Sequence, residues 1–243
     1  MELAQINPGK ILFLDIETVS AKPEYKELSP RMKALWDKKA EKIARHDQDT
    51  PESLYNSAGI YAEFGKIIVI SAGFIAGGEF RLTSFYGDDE KQLLSGFAQL
   101  LNQHFYAPDH FLCAHNGKEF DFPYIARRML INGIDLPDIL NTPGKKPWEV
   151  KHLDTLELWK FGDYKHYTSL DLLTAVFDIP TPKDDISGSD VGKVYWKEKN
   201  LERIVGYCEK DTLAVAQLYL RYLNKPIIEE SNIKLVKNNQ HAE

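Results

Sequence analysis

Five side chains in this sequence have the types and spacing for work at a metal ion. Asp15 and Glu17 close the run "ILFLDIET", directly after four apolar residues. Residues 10–15 read as a buried strand, and strand side chains alternate between faces, so the two acids share one. Two carboxylates side by side raise each other's pKa unless a cation sits between them. A strand end running out into solvent would carry the same pair. Asp121 ends "HNGKEFD". There Phe120 anchors in the core, Asp121 precedes a helix beginning at Pro123, and Asn116-Gly117 makes a turn that brings backbone close to a ligand. Capping of that helix is the competing role for Asp121. Tyr207 and Asp211, in "YCEKD", stand four apart on a helix and stack on one face. That face borders the apolar stripe through Ile204 and Cys208, where an ordinary amphipathic helix would also place polar residues.

Four carboxylates and a phenol, with no supporting His or Cys cluster, form a donor set for a hard divalent cation such as Mg²⁺ or Mn²⁺. Four negative charges match two such ions and would account for much of the net charge of −6. His46, His104, His110, His115, His152 and His166 show no metal-binding spacing; His115 reads as a hydrogen-bonding residue at a strand end. Cys113 and Cys208 are the only cysteines. They read as reduced core residues of a cytoplasmic protein.

The elements that must position these side chains are legible in outline. With 43% hydrophobic and 12% aromatic residues, the 243-residue chain can build a large core. No apolar run approaches the roughly 18 residues of a membrane span, and the N-terminus lacks a signal-peptide pattern. The acidic balance, without a long basic stripe, argues against coating nucleic acid by charge and predicts contact with only two or three phosphates. Ser29-Pro30 and Thr50-Pro51 open two helices, the second stopped by Gly59. Strands over 66–75 and 79–87 form a hairpin through Gly77-Gly78. Asp88 caps a helix that buries Leu93, Leu94, Phe97, Leu100 and Leu101. A strand over 110–115, a helix from Pro123 to Gly133 and a strand over 151–156 follow. A Thr168–Asp171 capping box precedes "LLTAVF", and Asn200 opens a long last helix. This order predicts an α/β layered protein with a mixed sheet. It reads as a single domain over 1–225, with a helical insertion at about 20–62 and a polar tail over 226–243.

The three acidic clusters, taken in order, resemble the motifs of the DEDD 3′–5′ exonucleases: D-x-E at Asp15 and Glu17, N-x-x-x-F-D from Asn116 to Asp121, and Y-x-x-x-D at Tyr207 and Asp211. The last form is that of the tyrosine subclass (DEDDy), which includes the proofreading domains of family B DNA polymerases and the ribonuclease D group. The histidine subclass would carry His where Gly206 stands. The segment "LDTLELWKFGDYKHYTSLDLL" also resembles the stretch these enzymes carry before the third motif. The resemblance covers roughly residues 10–223 and is closest to stand-alone proteins related to the polymerase proofreading domain.

It implies a ribonuclease H-like three-layer fold with a central mixed five-stranded sheet. It also implies two divalent ions, Mg²⁺ or Mn²⁺: one held by Asp15, Glu17 and Asp211, the second by Asp15 and Asp121. Tyr207 would orient the attacking water. Ile16, Asn116, Phe120 and Asp154 become substrate-binding candidates, Asp154 lying where an accessory acid often sits. The implied substrate is the 3′ end of single-stranded nucleic acid, DNA in preference to RNA, released as nucleoside 5′-monophosphates. An exoribonuclease, or a non-catalytic nucleic-acid binding module on the same fold, stays open. Lys145, Lys146 and Trp148, in "NTPGKKPW", read as a solvated loop within reach of a strand.

Overall fold

Alternation along the first strand divides the protein into two cores. In the computed structural model, which describes residues 3–163, 167–180 and 186–236, β1 spans Ile11–Ser20. Its even-numbered Leu12, Leu14 and Ile16 pack on one side of the sheet with Leu94 and Phe97 on α3 (Glu90–His104) and Ile125 on α4 (Asp121–Ile131). Its odd-numbered Ile11 and Phe13 pack on the other side, against Val215, Ala216 and Tyr219 of α8 (Leu201–Tyr222). The result is three layers, with helices on both faces of the sheet.

In chain order, α1 (Pro30–Ile43) and α2 (Pro51–Leu54) follow β1, ahead of β2 (Gly65–Ala76) and β3 (Glu79–Tyr86). After α3 come β4 (Phe111–Ala114), α4, β5 (Leu153–Asp154), α5 (Thr155–Lys160) and α6 (Leu170–Val176). α7 (Val191–Lys193) runs into a wide π turn, and β6 (Ile233–Leu235) follows α8. The sheet order is β5-β4-β1-β2-β3-β6. β2 pairs antiparallel with β1 and β3, while β4 runs parallel to β1 and β5, and β6 parallel to β3. The sheet is therefore mixed, as expected, but has six strands rather than five. The sixth lies in the segment assigned to a polar tail: its side chains are largely exposed, so backbone pairing along β3 holds it without an apolar signature. Residues 237–243 of that tail, with His166, fall outside the described residues.

Several boundaries follow the sequence. Ser29, Thr50 and Asn200 accept from backbone N–H groups at the starts of α1, α2 and α8. Gly77 and Gly78 turn the β2–β3 hairpin at φ +62° and +84°. Others shift by one or more residues. Asp89, not Asp88, caps α3, and Asp88 accepts from the Tyr195 hydroxyl instead. Ser169 caps α6 in place of the Thr168–Asp171 box. The strand at 151–156 shrinks to two residues because Asp154 caps α5.

The segment between β1 and β2 has a small core of its own, in which Trp36 and Ala40 of α1 meet Tyr55, Ala58 and Phe64. Trp36 Nε1 donates to the Pro51 carbonyl at 2.7 Å. The segment is docked on β1 through Gly59, where a Cβ would lie 2.9 Å from the Val19 carbonyl carbon. Tyr124 of α4 donates its hydroxyl to Gly59 O at 2.6 Å. A buried pair ties α4 down as well: Arg128 Nε donates to Glu90 Oε1 at 2.8 Å, and the same oxygen accepts from Ile67 N. Breaking such a pair from one side costs about 3–5 kcal/mol.

Candidate active site

Asp15 and Glu17 continue the odd-numbered row of β1, so they lie under α8. They stand in the middle of the strand rather than at its end. β1 runs on to Ser20, with a register shift between Glu17 and Thr18. Glu17 is buried and Asp15 half-buried. From α8, Cys208 brings its thiol to 3.3 Å from Asp15 Oδ2 and 3.4 Å from the Asp15 carbonyl oxygen. One turn along, Thr212 donates to the Ser71 carbonyl of β2 at 3.3 Å. These two contacts fix the rotation of α8 over the sheet. Tyr207 and Asp211 consequently reach the β1 acids from the side, and the Tyr207 hydroxyl donates to the Asp211 carboxylate.

Asp121 arrives from the opposite layer. It is the first residue of α4, which starts two residues earlier than Pro123 predicts. Its buried carboxylate accepts from its own backbone N–H and from that of Ile16 on β1. The Ile16 side chain itself points into the α3/α4 core, so this residue meets the site through its backbone.

The acids raise one another. Burial pushes Asp15 well above the usual carboxylate range, and the charges of Glu17, Asp121 and Asp211 push it further, while the Cys208 thiol pulls it back. Glu17 is raised by burial, then by Asp211 and Asp121. Asp121 is pushed up to about 7, chiefly by burial and also by Asp154, against the pull of the two backbone N–H groups. Tyr207 is raised by burial and by Asp211, Glu17 and Asp15, so it keeps its proton. No lysine or arginine offsets Asp15, Glu17 or Asp121 among the described residues. Buried, uncompensated carboxylates are costly without a cation, and an oxygen-only set fits a hard divalent one.

Asp15, Glu17 and Cys208 offer ligand atoms within 4.8 Å of one another. The Cys208 thiol is nevertheless raised by burial and by Asp15 and Glu17, so it stays protonated and acts as a donor. Among these three, the ligands suited to a hard ion are the carboxylates.

Asp154 has a different task. It is 3% exposed. Its Oδ1 accepts from Asn116 N at 2.9 Å, Leu156 N at 3.0 Å and Glu157 N at 3.3 Å, and its Oδ2 from Lys118 N at 3.0 Å. It caps α5 and clamps the Asn116–Lys118 turn. In that turn Asn116 sits at φ +62°, and a Cβ on Gly117 would meet the Ala114 Cβ at 2.4 Å. Phe120 is half-buried and packs its ring 5.3 Å from Tyr124. Beside the turn lies a cleft of about 590 Å³, lined by Asn116, Lys118, Lys145 and Lys160 among others. Trp148, next in sequence to the lining residue Pro147, is exposed, with Lys146 over its ring.

His115 bonds Thr155 Oγ1 and Thr168 O, each at 2.9 Å, as a strand-end residue should. Sequence reasoning missed Tyr167. Its exposed ring meets His115 edge-on, and its phenol is raised by burial and by the charges of Asp121 and Asp154. It lies within the segment that resembles the stretch before the third motif, part of which (164–166) is outside the described residues. Cys208 was visible inside "YCEKD", but only the helix phase assigns its thiol to Asp15.

No helix among the described residues is long and apolar enough to cross a membrane. The fold is similar to that of the family B DNA polymerase from the hyperthermophilic archaeon Pyrobaculum calidifontis. The TM-score is 0.53 at 17% identity, over 88% of this chain and 25% of the polymerase. The chain thus spans about a quarter of that polymerase's length, and at this identity the likeness is one of fold. A family model matches residues 60–235, which include Asn116–Asp121 and Tyr207–Asp211 but not Asp15 and Glu17. With that match covering well over half of the sequence, the chain belongs to the family of predicted 3′–5′ exonucleases related to the exonuclease domain of PolB.

Proposed function

We propose that the protein is a metal-dependent 3′–5′ exonuclease of the tyrosine type, acting on single-stranded DNA and releasing nucleoside 5′-monophosphates. The observation that carries this reading is the meeting of Asp15, Glu17, Asp121 and Asp211, from three elements, around one another with Tyr207 beside them. The kinship with the PolB exonuclease domain favours DNA over RNA. The exonuclease domain, expected over 1–225, would extend to Leu235, because β6 pairs with β3 in the same sheet.

Asp15, Glu17 and Asp211 would hold one Mg²⁺ or Mn²⁺, and Asp15 and Asp121 would help to hold a second. Such ions, when bound, lower the pKa of water and stabilise both oxygens of an in-line displacement at phosphorus. The protein's own groups do the positioning. Tyr207, keeping its proton, orients the attacking water by hydrogen bonding and does not act as the base. Cys208 fixes Asp15, and the Ile16 N–H fixes Asp121, so the carboxylates are set before substrate arrives. Ile16, Asn116 and Phe120 border the place where the 3′-terminal nucleotide enters. Asp154 shapes that border through the turn it clamps.

The test is an assay on 5′-labelled single strands of DNA and RNA, with Mg²⁺ or Mn²⁺ and with a chelator. Stepwise shortening of DNA from its 3′ end, abolished by the chelator, is the expected result. Cleavage of a strand whose 3′ end is blocked would overturn the reading, and degradation of RNA alone would reassign the substrate.

A further inference from the structure

The chain is acidic overall, yet α1 turns a basic face outward. Arg31, Lys38 and Lys42 stand at i, i+7 and i+11, with Leu35 at i+4, and these four fall within one narrow stripe of the helix. All three cations are exposed and make no ion pair among the described residues. Leu35, in their midst, is 45% exposed. Trp36 and Ala40 are buried on the opposite side of the helix. The exposed acid of the helix, Glu41, stands at the edge of this stripe rather than within it. Lys33 and Lys39, off this stripe, lie over the rings of Tyr25 and Tyr61 at 4.5 and 4.0 Å. Asp37 accepts from the Tyr25 hydroxyl. Among the described residues the outward cations have no such partner.

Position adds to charge. The segment leaves β1 at Ser20, three residues after Glu17. It is docked on Val19 through Gly59 and on α4 through Tyr124. Those two elements carry Asp15, Glu17 and Asp121. A three-charge row about 16 Å long is therefore fixed to the frame of the acidic site. An anionic polymer reaching that site needs cations along its path, and the side chains at the acids supply only negative charge.

We propose that the Arg31–Lys38–Lys42 face of α1 binds the phosphate backbone of the substrate strand, upstream of the 3′ end held at the acids. This rests on the exonuclease reading for which molecule is bound, but its test does not require turnover. The Arg31→Gln/Lys38→Gln/Lys42→Gln variant is compared with wild type by fluorescence anisotropy in Mg²⁺, over a salt series, using labelled single-stranded DNA of about 6 and about 30 nucleotides whose 3′-terminal linkages are hydrolysis-resistant phosphorothioates. With about 0.7 unit of log–log salt slope per phosphate contact, the long strand should show a slope near −4 on wild type and near −2 on the variant. At 0.1 M salt that corresponds to roughly 10–100-fold weaker binding of the long strand. The short strand should bind both proteins alike. The charge-keeping variant Lys38→Arg/Lys42→Arg should match wild type, and melting temperatures should agree because the side chains are exposed and unpaired.

Equal binding of the long strand to wild type and the triple variant would overturn the proposal and leave the stripe to an acidic protein surface. An equal loss for both lengths would overturn it too, since an upstream anchor cannot act on a strand too short to reach it. If wild type binds as described but degrades nothing, the exonuclease reading falls and the stripe stands.

Discussion

The Cys208 thiol lies 3.3 Å from Asp15 Oδ2, so the last long helix grips the first acid of the first strand across 193 positions of sequence. A protonated thiol donating to a buried carboxylate favours the ionised form and fixes its rotamer. In Cys208→Ala this donor is gone, and the pH at which Asp15 ionises should move up. Nuclease activity at neutral pH should fall about 10-fold, with half-saturation in Mn²⁺ shifted to higher concentration. Cys208→Ser keeps a donor and should stay near wild type. Identical Mn²⁺ curves for the alanine variant and wild type would show that the contact is only packing.

Asp154 separates a clamp from a ligand. Four backbone N–H groups converge on its two oxygens. Asp154→Ala would strand several of them in a buried setting, and urea unfolding should report a loss of about 3 kcal/mol. Activity should fall with the ordering of the Asn116–Lys118 turn. A variant that keeps full stability while losing turnover would instead place Asp154 against the substrate.

The acids also predict how the metal-free protein responds to pH. Asp121 is pushed up to about 7, and Asp15 and Glu17 are raised in the same direction. The folded state therefore holds protons that the unfolded chain, with carboxyl pKa values near 4, has released. The stabilisation these groups contribute is complete below pH of about 4 and is lost as the pH rises through the folded values. In EDTA the melting temperature should fall from pH 5 to pH 8. Asp121→Asn should flatten that slope, and Mn²⁺ at pH 8 should raise the wild-type value. A melting temperature insensitive to pH over this range in EDTA would contradict the buried-acid electrostatics.

The acids could be read from sequence because period-two and period-four spacing survive any detail of packing. What could not be read depends on neighbours distant in the chain. The length of β1 beyond Asp15 is set by pairing with β2 from Gly65 to Gly73, which no local signal encodes. β6 is held by a backbone ladder on β3 and has almost no apolar residues to announce it. Asp154 reads as an accessory acid, whereas two of its four N–H partners, Asn116 and Lys118, lie 38 and 36 positions earlier in the chain. The basic stripe of α1 escaped notice because Arg31, Lys38 and Lys42 are scattered in sequence and align only once the helix phase is fixed by burial of Trp36 and Ala40.

Tyr207 and Asp211 share one face of α8 and one hydrogen bond, but they should fail differently. Asp211→Asn keeps shape and removes one of the three charges assigned to the first ion. Metal affinity should drop and activity should be nearly lost. Tyr207→Phe keeps the ring that packs beside Val205 and Cys208 and removes only the hydroxyl. No ligand is lost, so Mn²⁺ should bind as in wild type. The rate should fall about 10²–10³-fold, as it does when one positioned hydrogen bond to the reacting centre is removed. Without metal, Asp211→Asn should melt at or above the wild-type temperature, because it relieves the repulsion that raises Asp15 and Glu17. Calorimetric Mn²⁺ titration beside single-turnover rates separates the two variants. Full activity in Tyr207→Phe would remove the phenol from the chemistry, and wild-type Mn²⁺ affinity in Asp211→Asn would overturn the ligand assignment.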